Sequence, residues 1–161
     1  MLRLSHIATA KKYAKTYRLG LLQAHAYRIL KQRTTSVLEQ YNLSTLDWAL
    51  LGALHDDGEM TYKHAAHLLA VTSPVVTSLC ERLLEKKLIT IRKDESDARI
   101  KHISLTSHGS TFVSTKEADI RTAMKDVVAK ASTRDLLGYV AVLQAIIDSE
   151  KGENVKPHTW F

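Results

Sequence analysis

The sequence predicts a mainly α-helical chain with one small β-hairpin. Two observations carry this. Apolar residues recur three and four apart over long segments at both ends of the 161-residue chain, as helices require. One stretch, LITIRK then DESDAR then IKHISLT, instead alternates β-branched and polar residues on either side of a polar turn.

The first helix is expected from about Tyr13 to Gln40, with Leu19, Leu22, Ala26, Ile29 and Leu30 forming its apolar stripe. Asn42 interrupts that pattern. Ser44 followed three residues later by Asp47 resembles a capping box and opens a second helix, TLDWALLGALH. Asp57-Gly58 marks a turn, and Thr61 is a candidate N-cap for a short third helix, YKHAAHLLA. The fourth, TSPVVTSLCERLLEKK, can start on the side chain of Thr72 or Ser73, and Pro74 sits where a missing N–H costs nothing. After the hairpin, a long helix is expected from Ser107 to about Lys130. Thr133 is the expected cap of a last helix striped by Leu136, Val140, Leu143 and Ile147. The tail GENVKPHTWF has little helical pattern, and Trp160 and Phe161 could pack on a partner or be exposed.

Composition narrows the function classes. With 45% hydrophobic and 25% charged residues, the chain is close to the average for soluble globular domains. Its longest uncharged apolar stretches, Trp48 to Leu54 and Tyr139 to Ile147, fall far short of the roughly 20 residues that span a bilayer, so no membrane segment is expected. A single cysteine excludes an intramolecular disulfide and suits a reducing cytoplasm. The formal net charge is +6, and no acidic residue precedes Glu39, whereas Arg3, Lys11, Lys12, Lys15, Arg18, Arg28, Lys31 and Arg33 do. Basic, acid-poor N-termini also occur in transit peptides. Here the stripe continues deep into the chain, which favours an integral helix. The remainder carries 15 basic and 17 acidic residues, so attraction to any polyanion has to come from local clusters.

Helix four and the hairpin together describe a DNA-reading module. Val76, Leu79, Cys80 and Leu83 make one apolar face, while Ser73, Pro74, Val75, Thr77, Ser78 and Arg82 point away. An outward face that is small near its N-terminus lets the backbone approach a major groove. In the hairpin tip, Asp97 and Arg99 are two apart, so the carboxylate can orient the guanidinium toward a phosphate or a narrow minor groove. Lys63, Arg92 and Lys101 are candidate phosphate contacts.

Arg82-Leu83, Asp97-Ala98-Arg99 and Leu105-Thr106-Ser107-His108-Gly109 occur in the order and spacing of one signature. In these residues the chain resembles the MarR family of bacterial winged helix-turn-helix regulators, and in pattern the likeness extends over about the whole chain. The resemblance implies a winged helix-turn-helix lobe at 43–106, flanked by helical dimerisation regions at 1–42 and 107–161. It also implies a cytoplasmic homodimer on double-stranded DNA with a pseudo-palindromic operator, acting as a repressor and released by a small effector. In the family such effectors are commonly aromatic carboxylates; Arg18, His25, Trp48 and His55 are the candidates for binding one here. Two departures stand out. Ser78 occupies a place where many relatives carry a groove-facing Arg, with Val75 where Thr is common, so no operator sequence carries over. Lys87 replaces the Gly that usually closes the recognition helix.

Other chemistry has thin support. His64 and His67 are three apart on a helix, but no neighbouring Cys, Asp or Glu is spaced to complete a metal shell. Cys80 invites a redox reading, yet it falls on the inner face. No paired carboxylates, nucleophile with base, or phosphate-cradling glycine motif points to an enzyme, and no cofactor is expected. The alternatives are a winged helix that binds protein and not DNA, or a regulator that senses a metal or a redox change.

Overall fold

The computed structural model describes residues 16–149. They fall into two compact units, one ending at Met124 and one beginning at Lys125. Helix α1 (Thr16–Leu38) passes into a short 3-10 turn, Glu39–Tyr41, and stops at Asn42, which takes the left-handed conformation at φ 52°. Next come α2 (Thr45–Asp57), β1 (Met60–Thr61), α3 (Tyr62–Leu68), α4 (Ser73–Glu85), β2 (Ile89–Lys93) and β3 (Lys101–Leu105). Helices α5 (Ser107–Val128) and α6 (Thr133–Ser149) complete the order.

The caps follow from the local sequence. Ser44 accepts the Asp47 N–H while Asp47 accepts the Ser44 N–H, a reciprocal box that satisfies two donors otherwise orphaned at the start of α2. Thr61 caps α3 through the His64 N–H at 3.2 Å. Gly58, at φ 80°, provides the turn that a side chain would resist. Two expected caps differ. Thr72 is the N-cap of α4, but neither its side chain nor that of Ser73 accepts the first free N–H; the Thr72 carbonyl takes those of Val75 and Val76. At α6 the cap is Ser132, boxed with Asp135, and Thr133 is the first helical residue. The better-paired box decides the start.

The hairpin is part of a three-stranded sheet, ordered β1-β3-β2. Sequence reasoning anticipated two strands. The third is only two residues long, Met60 opposite Ile103 and Thr61 opposite His102, which is too short to show an alternation. Ile91 stands opposite Ile103 and Ile89 opposite Leu105 on the inner face, whereas Thr90 and Ser104 meet outside with their hydroxyls 2.9 Å apart.

The core gathers Leu38, Leu50, Leu51, Leu54, Val76, Leu79, Cys80, Leu83, Ile89 and Ile103. Each large aliphatic side chain buried there contributes about 2 kcal/mol of hydrophobic stabilisation. The α1 stripe is not part of it: Leu19, Leu22 and Ile29 are exposed in the single chain, Leu22 to 68%. In the second unit, α6 likewise leaves Leu137, Tyr139, Val142 and Ile146 exposed. The tail with Trp160 and Phe161, the helix start at Tyr13, and Arg3, Lys11, Lys12 and Lys15 lie outside the described residues.

Candidate nucleic-acid interface

Helix α3, the turn at Leu69-Ala70 and helix α4 form a helix-turn-helix, with β2 and β3 projecting as a wing. Both helices close in the same way. Ala70 and Lys87 adopt φ 52° and 57°; the Val71 N–H reaches back to the Ala66 carbonyl and the Leu88 N–H to the Leu83 carbonyl, each at 3.0 Å. These are Schellman closures built without glycine, so Lys87 makes the turn that glycine usually makes, at the cost of a crowded Cβ.

Helix α4 buries Val76, Leu79, Cys80 and Leu83 as expected and leaves Ser73, Pro74 and Ser78 exposed. Thr77 is half-buried, and its hydroxyl donates back to the Ser73 carbonyl at 3.2 Å. Arg82 departs from expectation. Its Nη2 donates to Asp47 Oδ1 at 2.9 Å, and the Asp47 side chain is only 3% exposed, so the guanidinium ties α4 to the buried start of α2. Sequence reasoning missed this pair because its members lie 35 positions apart.

Two further site residues, both exposed, have partners within the chain. Arg92 on β2 forms a two-pronged ion pair with Glu59, which raises the guanidinium's pKa and holds the Glu59 carboxyl below the usual range. Lys101 on β3 places Nζ 5.4 Å from the Tyr62 ring centroid. His102 is bracketed by Glu59, 3.3 Å from Nδ1, and Asp94, 2.8 Å from Nε2.

The wing tip is organised differently from the sequence expectation. Asp97 Oδ1 accepts the backbone N–H of Arg99 at 2.9 Å, and among the described residues no carboxylate lies within ion-pair distance of the Arg99 guanidinium. Asp97 therefore shapes the loop and leaves the cation available. Asp94 is the residue that sequence reasoning overlooked. It accepts the Ser96 hydroxyl at 2.6 Å, the Ser96 N–H at 2.9 Å and the Asp97 N–H at 3.2 Å, and these bonds, with His102, hold its carboxyl well below the ordinary range. The Asp-x-Ser spacing of an Asx turn was its available signal. Lys63, on α3, is exposed, as are Lys87 and Lys93.

The other candidates are dispersed. Arg18 and His25 are exposed on α1; Trp48 is half-buried on α2; His55 faces Asp56 at 3.0 Å and Ser114 at 3.1 Å. Among the described residues no hydrogen bond or ion pair joins any two of these four. His64 and His67 belong to no group of three metal-binding side chains there. Cys80 is fully buried, and burial pushes its thiol up, away from the reactive thiolate.

A helix-turn-helix with an exposed N-terminal turn beside a cation-tipped wing defines a winged helix-turn-helix protein. Residues 41–100, which hold most of this lobe, match the MarR family model. The chain is 25% identical over 147 residues to the HTH-type transcriptional regulator FarR of Neisseria gonorrhoeae, covering 88% of this chain and 99% of that one. It superposes on S. aureus MepR in its DNA complex with a TM-score of 0.70 at 27% identity, covering 83% of this chain and 98% of that one. Bordetella bronchiseptica BpsR, whose DNA binding is regulated by 6-hydroxynicotinic acid, shares the fold at a TM-score of 0.71 and 20% identity, covering 80% and 98%. Among the described residues no helix is long and apolar enough to cross a membrane.

Proposed function

We propose that this protein is a cytoplasmic, homodimeric repressor that binds a pseudo-palindromic operator and releases it on binding a small aromatic carboxylate. The observation that carries the reading is the juxtaposition of the small, exposed first turn of α4 with a wing whose Arg99 has no carboxylate partner among the described residues. The first fits a major groove and the second an adjacent minor groove. Ser73, Pro74, Thr77 and Ser78 face bases or their phosphates; Lys63, Lys101 and Arg99 supply phosphate attraction. Arg82, Arg92 and Asp97 act by holding α4 and the wing in position.

The exposed apolar residues of α1 and, separately, of α6 support assigning 1–42 and 107–161 to dimerisation and 43–106 to DNA binding, since water-exposed stripes of this kind mark protein interfaces. A dimer presents two recognition helices to half-sites about one helical turn apart. The effector reading leans on the regulation of BpsR by 6-hydroxynicotinic acid. In this chain Arg18 supplies the cation and Trp48 the ring surface, with His25 and His55 as further polar candidates. The ligand has to bind the released state more tightly than the DNA-bound one to shift the spacing of the two lobes.

The test is capture of genomic DNA by the purified protein, followed by salt titration on the enriched fragment with wild type and Arg99→Ala. Recovery of a palindromic site, with affinity reduced about tenfold and the log–log salt slope reduced by about 2 per dimer in the variant, meets the reading. Failure to enrich any fragment at low salt overturns it in favour of a protein-binding module.

A further inference from the structure

The base-reading chemistry of α4 can be specified further, on the reading that this helix enters a major groove. With Val76, Leu79, Cys80 and Leu83 buried, the exposed side chains are Ser73, Pro74, Val75, Ser78, Glu81 and Arg82, followed by Leu84 and Glu85 in the last turn, away from the N-terminal end that enters a groove. The groups that normally read base edges are few. Arg82 is committed to Asp47 at 2.9 Å, and Thr77 donates its only proton to Ser73. The helix, SPVVTSLCERLLE, contains no Lys, Asn or Gln, so bidentate recognition of guanine or adenine has no uncommitted side chain to perform it. Glu81 offers carboxylate oxygens, which suit cytosine N4 alone. Hydrogen-bonded readout is left to the hydroxyls of Ser73 and Ser78.

Val75 stands out against this background. It is 37% exposed in the first turns of α4, an apolar side chain that the core does not use. It shares a ridge with Ser78 and Arg82, three and seven residues on, so the Arg82–Asp47 tie fixes the rotation of the face that carries it. Its β-branch holds one rotamer in a helix, so little side-chain freedom is lost when its methyls are covered. In a major groove the apolar group that such a side chain can cover is the C5-methyl of thymine.

We propose that Val75 is a specificity-determining residue that reads a thymine methyl in each half-site. Burying one methyl is worth about 0.8 kcal/mol, or about fourfold in affinity, and two symmetric half-sites multiply to about fifteenfold.

The experiment replaces each thymine of the recovered operator in turn by deoxyuridine, which removes the C5-methyl and leaves every hydrogen-bonding group in place. Affinity is measured for wild type and Val75→Ala at fixed salt. The expected result is one symmetry-related thymine per half-site at which methyl removal costs wild type about fourfold and costs Val75→Ala nothing measurable. If every deoxyuridine duplex changes the two proteins by the same factor, the inference is overturned while the DNA-binding reading stands. If neither protein binds any duplex, both fall. The wild-type arm alters only the DNA, so the folding of the variant does not enter it.

Discussion

Replacing Gly109 by alanine tests why the Leu-Thr-x-x-Gly segment after the wing has the sequence it does. Gly109 lies in the first turn of α5, and a Cβ built there would sit 2.0 Å from the Leu88 carbonyl oxygen, 2.9 Å from its carbon and 3.2 Å from Leu105 Cδ2. An unstrained carbon–oxygen approach is about 3.3 Å or more, so the two backbones have to separate by more than about 1 Å. The Leu88 carbonyl cannot retreat freely, because it accepts the Thr106 N–H at 3.0 Å. The Thr106 hydroxyl in turn bridges the two segments, accepting the Gly109 N–H at 2.8 Å and donating to the Lys87 carbonyl at 2.8 Å. Overpacking costs about 2 kcal/mol, and each of the two or so hydrogen bonds disturbed adds about 1, giving about 4 kcal/mol. Urea denaturation followed by circular dichroism should show a midpoint lower by about 2 M for a slope near 2 kcal/mol/M. Gly52→Ala is the control. It lies inside α2 with nothing within 4 Å of the added Cβ, and it should stabilise by about 0.7 kcal/mol. A Gly109→Ala midpoint within about 0.3 M of wild type would refute the close-approach argument.

Lys87→Gly should raise stability by about 1 kcal/mol, since φ 57° carries a left-handed penalty that glycine escapes; a neutral or lower unfolding midpoint would contradict this. Arg82→Ala should lower stability by about 2 kcal/mol, discounted from the cost of breaking a fully buried pair because the Arg82 side chain is 47% exposed; an unchanged midpoint would show that Asp47 does not depend on it. The Asp94 carboxyl is held below its ordinary range by Ser96 and His102, so its contribution to wing order is fully present above the ordinary carboxylate range and is lost as pH falls through the depressed value. Amide signals of Ser96 and Asp97 should therefore stay native-like at pH about 4 and collapse only at lower pH, whereas Asp94→Asn should remove that acid transition.

Periodicity and capping chemistry are local, so the sequence alone determined the helices, the inner face of the recognition helix and the hairpin. Ser44 with Asp47, Thr61 and Asn42 each act on residues within a turn or so of themselves, and they sit where their side chains predict. Polar residues of the interface were legible only as types. A serine or arginine in sequence does not say which partner it will take, and the partners of Arg82 and Arg92 lie 35 and 33 positions away. Tertiary structure therefore decided which cations are consumed inside the fold and which, like Arg99, remain available. It also decided that Asp94 and not Asp97 organises the wing tip, and that two residues before α3 join the sheet as its third strand. The physical reason is common to all of these. Local propensity acts over about one helical turn, while ion pairs, strand pairing and the close approach at Gly109 exist only once distant segments have been packed together.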